Sequence, residues 1–220
     1  MEANLETRIW LVRHAETATP HLFHGAESDV ELSERGERQA AAGAEWFRSL
    51  APTAVVSSSM LRAVRTASPI AAACRIPHTL EPALHERRVG ELCGKTFSTS
   101  EGPWHETIRQ WQLGHTTYST PGAESFEEIR TRTVPAWDRI VALHRGGRVV
   151  IVAHGVVCKV LLLSLLPGLT ATNWTSIGKV QNLAVNELVQ RPGEPWKALS
   201  LLTVPDPIRT PDGNPPGSAA

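Results

Sequence analysis

Two apolar runs in this 220-residue sequence end in side chains that carry chemistry. Arg8-Ile-Trp-Leu-Val-Arg13 leads straight into His14-Ala15-Glu16-Thr17, and Arg148-Val-Val-Ile-Val-Ala153 leads into His154-Gly155. Each run reads as a buried strand that stops abruptly at polar residues. If the two strands are parallel and central, Arg13, His14 and His154 meet at one sheet edge, where open α/β sheets bind their ligands. A third stretch, Val56-Ser-Ser-Ser-Met-Leu-Arg62, again reads as strand, turn and helix. It sets Arg62 in a first helical turn, whose free N–H groups favour an anion. Two guanidiniums and two imidazoles around such a point describe a phosphate pocket. Guanidinium matches phosphate oxygens bidentately, and a neutral imidazole can attack phosphorus.

The elements that must position these groups alternate. Strands are expected at 8–13, 54–57, 78–80, 148–153, 183–189 and 198–204. Helices are expected from Ser33, which supplies the N-cap, to Leu50, and over 59–73, 124–145 and 155–166. Gly146-Gly147 stops the third of these and Pro167-Gly168 the fourth. This pattern predicts an α/β three-layer sandwich, a largely parallel sheet with helices on both faces. Residues 91–123 break the rhythm with Gly, Ser, Thr and Pro and one short helical piece near 104–113, and so read as an inserted lid. The reading is one domain over 1–204 with a Pro- and Gly-rich disordered tail from 205 to 220.

Composition removes several other classes. Lys and Arg total 22 and so do Asp and Glu, so no field draws the chain to nucleic acid or an acidic membrane. The longest apolar stretch, Val156 to Leu166, contains Lys159 and falls short of the ~18 residues a membrane span needs. The acidic start lacks an apolar run before Ile9, and the three cysteines, Cys74, Cys93 and Cys158, are far apart. Both features fit a reducing cytoplasm without disulfides. His85-Glu86 and His105-Glu106 each begin like a zinc helix motif, but neither has the later His that the motif requires. His21 and His24 have no obvious carboxylate beside them. No metal and no cofactor is therefore expected.

The same residues resemble the histidine phosphatase superfamily, in its phosphoglycerate-mutase-like branch. The resemblance runs through Arg13-His-Ala-Glu-Thr17, Gly25, Leu32-Ser-Glu-Arg-Gly36, Ser58-Ser-Met-Leu-Arg62-Ala63, Leu84-His-Glu86, Gly90-Glu-Leu-Cys-Gly94, Pro121-Gly-Ala-Glu-Ser125 and Ala153-His154-Gly155. Any one string is weak; in this order over about 180 residues they are specific. The resemblance implies that His14 is a nucleophile carrying a phosphohistidine, with Arg13, Arg62 and His154 binding the phosphoryl oxygens. It implies that Glu86 protonates the leaving alcohol and then activates water. Thr17, Gly25 and Gly155 would add phosphate contacts, although Gly25 can also be a plain turn glycine. Glu91 competes with Glu86 for the acid's place, Asn182 lies where a strand should pass the site, and Arg65 reads as a salt-bridge residue. Glu124 is expected to organise the start of its own helix.

Two positions depart from the family pattern. Ala15 stands where Gly is usual, and Pro20 stands where many members carry an Asn that contacts phosphate. Thr17, His21 or His24 would have to replace that contact. A non-catalytic module with this fold would normally have lost the nucleophile or the acid, and both residues are present. The closer contest is hydrolase against mutase, which the Glu86-Arg87-Arg88 stretch resembles. A mutase needs extra cations over its second phosphate, yet residues 89–123 hold only Lys95 and Arg109 against Glu91, Glu101 and Glu106. The expectation is a hydrolase acting on a small phosphorylated molecule whose remainder is neutral, partly apolar or sugar-like.

Overall fold

The computed structural model describes residues 6–97 and 102–209. Six strands, β1 (Thr7–Arg13), β2 (Ala54–Ser57), β3 (His78–Leu80), β4 (Arg148–Ala153), β5 (Val185–Gln190) and β6 (Lys197–Thr203), form one sheet in the order β3-β2-β4-β1-β5-β6. The neighbours β3, β2, β4 and β1 are mutually parallel, and β5 runs against both β1 and β6. Five strands therefore point one way and the sheet is largely parallel, as expected. The helices are α1 (Glu34–Leu50), α2 (Leu61–Cys74), α3 (Pro103–Gln112), α4 (Phe126–Leu143) and α5 (Gly155–Leu165). α1 packs against α2 and α4 against α5, giving helical layers around the sheet.

β1 and β4 occupy the centre because they are covered on both faces. Ile9, Leu11 and Val12 and the whole run from Val149 to Ala153 are fully buried, as a two-sided strand requires. Their register pairs Arg13 with Ala153, so His14 and His154 leave the sheet side by side. The His14 N–H donates to the Ala153 carbonyl at 2.9 Å, and the Ser58 N–H to the Val152 carbonyl at 3.0 Å. Three strand ends thus converge on one edge. α5 follows at once and is buried nearly all round, which is why its sequence is apolar without an amphipathic stripe.

Caps set the helix boundaries. Ser33 accepts from the Gly36 N–H and starts α1, as expected. Ser125 and Glu128 form a reciprocal capping box, so α4 begins at Phe126 rather than at Glu124. β5 also starts later than the predicted 183: Leu183 has φ +52°, and its N–H donates to the Arg13 carbonyl at 3.0 Å. The tail expectation needs a correction. Val204 and Ile208 are buried, and a 3-10 turn over Asp206–Ile208 lays Ile208 against α1 near Gly43, because the end of the sheet leaves an apolar surface there to cover. The rest of the expected tail, residues 210–220, lies outside the described residues.

Candidate active site

At the carboxyl end of β1 a cleft of about 540 Å³, open mouth included, is lined by Arg13, His14, Thr17, His24, Arg62, Glu86 and Arg87. Its apolar wall is Leu22, Phe23, Val89, Phe97, Trp104 and Val156. His14 Nδ1 lies 2.7 Å from the carbonyl oxygen of Ala15. A carbonyl can only accept, so Nδ1 carries the proton and Nε2 is the ring's lone-pair nitrogen. Burial, then the charges of Arg62 and Arg13, hold the His14 pKa well below the usual imidazole range. Asn182 Nδ2 donates to the His14 carbonyl at 3.0 Å, so the residue that lies where a strand should pass the site holds the His14 backbone.

Carbonyl dipoles orient the cationic side chains. Arg13 Nη1 donates to the Val180 carbonyl at 2.7 Å. Arg62 donates to the carbonyls of Ser28, His24 and Gly25 at 3.0, 3.2 and 3.2 Å. Arg62 stands in the first turn of α2 as expected, but the Leu61 N–H of that turn donates to Asp29 Oδ1 at 2.7 Å. That N–H is occupied by a capping carboxylate, so what α2 presents to the cleft is the guanidinium. Arg65 pairs with Glu37 at 2.9 Å, outside the cleft.

His154 is fully buried beside His14, their ring centroids 5.1 Å apart in an edge-on arrangement. Its Nε2 lies 2.9 Å from Ser58 Oγ, which itself accepts from the Met60 N–H. The other ring nitrogen, Nδ1, has no hydrogen-bond partner among the described residues. Burial, then the charges of Arg62 and His14, keep His154 well below the usual range. It does not form the cleft wall, and neither does Gly155, the first residue of α5. Gly25 also lies off the wall. A Cβ there would stand 2.2 Å from Glu27 Oε2 and 2.8 Å from the Arg87 carbonyl, so close packing demands glycine while its carbonyl steadies Arg62.

Glu86 faces the same cleft. Its Oε1 accepts from the Arg87 N–H at 2.8 Å and its Oε2 from the Val156 N–H at 3.4 Å. The loop that carries it is clamped by Arg132, which donates to the carbonyls of Ala83 and His85 at 2.6 and 2.8 Å and to Glu124 at 2.9 Å. Burial raises the Glu124 pKa, but hydrogen bonding to Arg132 and its charge outweigh this and hold the carboxyl below the usual range. Glu124 also accepts from the Arg88 N–H at 2.8 Å, so it organises the Glu86 loop rather than its own helix, which Ser125 caps. Glu91 is exposed and absent from the cleft. Of the three groups that could replace the missing Asn, Thr17 and His24 line the cleft and His21 is exposed.

Ser58, Arg132 and Arg87 were not singled out from the sequence for the places they take. No local signal marks them, since each takes part of its place from a partner more than thirty residues away. Among the described residues no group of three or more His, Cys, Asp or Glu side chains clusters as metal ligands would, and no helix is long and apolar enough to cross a membrane.

The comparisons with known proteins fall on this geometry. A metal-independent phosphoserine phosphatase of Arabidopsis thaliana is 36% identical over 186 residues, covering 82% of this chain and 75% of that protein. A probable phosphoglycerate mutase of Erwinia tasmaniensis is 32% identical over 199 residues, covering 87% and 88%. The solved structure of a mycobacterial glucosyl-3-phosphoglycerate phosphatase superposes with a TM-score of 0.76 at 26% identity, covering 90% of this chain and 99% of that one. The family model for the histidine phosphatase superfamily, branch 1, matches residues 9–201, from the strand that delivers His14 to the far edge of the sheet. This chain is an enzyme of the histidine phosphatase superfamily.

Proposed function

We propose that the chain is a metal-independent phosphomonoester hydrolase working through a phosphohistidine on His14, with a small phosphorylated molecule as substrate. One observation carries the reading: His14 commits Nδ1 to the Ala15 carbonyl and so sets a neutral Nε2 in a cleft shared with Arg13, Arg62 and Glu86. Nε2 attacks phosphorus while the bond from phosphorus to the leaving oxygen breaks, and Glu86 gives that oxygen its proton. Water then attacks the phosphohistidine, Glu86 takes the proton from the water, and the N–P bond breaks to release inorganic phosphate. Arg13 and Arg62 bind the phosphoryl oxygens through transfer, and His154 packs edge-on against the His14 ring behind them. Thr17 completes the cradle, Gly25 serves by holding Arg62, and Phe97 and Trp104 of the lid line the cleft beside the leaving group.

Hydrolysis is favoured over phosphate return because the lid lacks cations that could reach a second phosphate. Lys95 is exposed, and Arg109 is exposed and paired with Glu106 at 2.7 Å. The test is enzyme treated with EDTA and offered a panel of phosphate monoesters headed by phosphoserine and phosphoglycerates. Turnover without added metal, competition by vanadate, and an acid-labile, alkali-stable phosphate on His14 are expected. His14→Ala is expected to lose activity by roughly three orders of magnitude or more. Activity lost in EDTA and restored by a divalent ion, or turnover that survives His14→Ala, overturns the reading.

A further inference from the structure

Arg132, on α4, does not line the cleft, yet each N–H of its guanidinium finds an acceptor around Glu86. Nη1 donates to the carbonyls of Ala83 and His85 at 2.6 and 2.8 Å. Nη2 donates to the Glu86 carbonyl at 3.3 Å and to Glu124 Oε2 at 3.1 Å, and Nε to Glu124 Oε1 at 2.9 Å. Glu124, itself buried, completes the fixture on the far side of Glu86. Its N–H donates to the Arg88 carbonyl at 2.9 Å, its Oε2 accepts from the Arg88 N–H at 2.8 Å, and its carbonyl accepts from Arg87 Nε at 2.7 Å. One guanidinium–carboxylate pair therefore ties down the chain from residue 83 to residue 88.

That stretch has little regular structure of its own, a 3-10 turn over Pro82–Leu84 and then loop. The anchors of the Glu86 carboxylate are poor references. The Arg87 N–H, at 2.8 Å, moves with the loop, and the Val156 N–H is already 3.4 Å away. A general acid must stand within about 2.6–3.2 Å of the oxygen it protonates, and a displacement of about 1 Å can cost about 10²-fold in rate. α4 supplies a fixed reference, because it packs on α5, the helix that starts directly after His154. Pairing with Glu124 alone would use two of the guanidinium's donors; the other three go to main-chain oxygens of the segment that carries the acid. We propose that Arg132 is a positioning residue for catalysis, holding the Glu86 carboxylate where the leaving oxygen needs its proton. The inference rests on the phosphatase reading above and on the acid's role given there to Glu86.

The experiment follows single-turnover formation of phosphohistidine by rapid quench. The alkyl ester is O-phosphoserine or 3-phosphoglycerate, whichever reacts faster, and the aryl ester is p-nitrophenyl phosphate. Arg132→Lys loses the fork but keeps the positive charge, which after burial, Arg62 and His14 disfavours a proton on His154. It should slow the alkyl reaction about 10-fold or more and the aryl reaction under about 3-fold, with vanadate inhibition unchanged. In a Glu86→Gln background no acid is left to position, and the same change should cost under about 2-fold. A merely structural role would lower stability and slow both esters alike. Equal losses for the two esters, or a full alkyl loss that persists without Glu86, overturns the proposal and leaves the phosphatase reading standing. No phosphohistidine on the wild-type enzyme with either ester overturns that reading as well. If Arg132→Lys fails to fold, Glu124→Gln takes its place, since it removes the ion pair and leaves an amide oxygen for the Arg88 N–H. It must show the same alkyl-selective loss, and equal losses for both esters there overturn the proposal.

Discussion

Replacing Glu86 by Gln separates acid catalysis from binding, and the structure says what else the change does. Glutamine can keep its carbonyl oxygen on the Arg87 N–H, where Glu86 Oε1 now accepts at 2.8 Å. Its amide nitrogen then stands where Oε2 was, facing the Val156 N–H across a contact that is already long at 3.4 Å. The packing cost is therefore one weak hydrogen bond, about 1 kcal/mol or less. The charge of Glu86 also favours the protonated forms of Arg13 and Arg62, so its removal leaves the cage more cationic and should not weaken phosphate binding. What disappears is the proton. A sugar, glycerol or serine alkoxide leaves poorly without one, and a loss of about 10²-fold or more is expected in the phosphorylation step for alkyl phosphates. An aryl phenolate leaves unaided, so p-nitrophenyl phosphate should lose far less. The rate must be taken from the burst of phosphohistidine in a rapid quench, because slow water attack would level the steady state. Equal losses in that burst for alkyl and aryl esters refute the acid role of Glu86. Glu91 could not inherit it, being exposed and off the cleft wall.

Two further outcomes concern the fold. His14 and His154 are kept neutral by burial and by the charge of Arg62, with pKa values well below the 6.5 of an unfolded histidine. Below pH 6.5 the unfolded chain therefore binds protons that the folded chain refuses, and stability must fall as pH falls, by up to about 1.4 kcal/mol per pH unit for each ring. Urea midpoints at pH 7.5 and 5.5 should show the loss in the unliganded enzyme and a clearly smaller one in His14→Gln; equal losses in both would remove His14 from this account. Ile208, only 2% exposed, should cost about 2 kcal/mol or more when cut to Ala, measured in the same way. A loss under about 0.5 kcal/mol would return residues 205–209 to the status of a loose tail.

What could be read from the sequence was whatever is written locally. The cores of the runs before His14 and His154, Ile9–Val12 and Val149–Ala153, are unbroken apolar residues because both strands are covered on two faces, and the strand ends agree with the structure to within a residue. The cap at Ser33 was equally plain. The antiparallel direction of β5 leaves no local mark, since only the short turn through Asn182 and Leu183, tied to the His14 and Arg13 carbonyls, turns the strand. Glu124 was misread for a related reason: it looks like a helix-start carboxylate, and only contact with Arg132 and the Arg88 N–H gives it the Glu86 loop to hold. The Pro- and Gly-rich composition after 204 hid Ile208 in the same way. Gly25 looked like a phosphate-contact glycine, and its need for glycine comes from Glu27 and the Arg87 carbonyl.

The way the cations are held explains why the cleft can take an anion at all. An arginine can be fixed in a protein by a carboxylate, which also neutralises it, or by carbonyl dipoles, which orient it and leave its charge in place. Arg13 is held by the Val180 carbonyl, Arg62 by three carbonyls, and Arg87 by the carbonyl of Glu124. The one carboxylate in the lining, Glu86, spends its oxygens on backbone N–H groups instead of on these guanidiniums. Where acids do pair with arginines, as in Arg65 with Glu37 or Arg109 with Glu106, the pair lies outside the cleft and holds the surface together. Burial draws the Arg87 pKa down to about 10, still far above neutral, so its charge persists at pH 7 although no carboxylate forms an ion pair with it among the described residues. A site built this way is unfavourable when empty, and the phosphoryl group of the proposed substrate would satisfy its electrostatics. Burial and the same repulsion, which together disfavour a proton on His14, leave its Nε2 the free lone pair that the proposed attack requires.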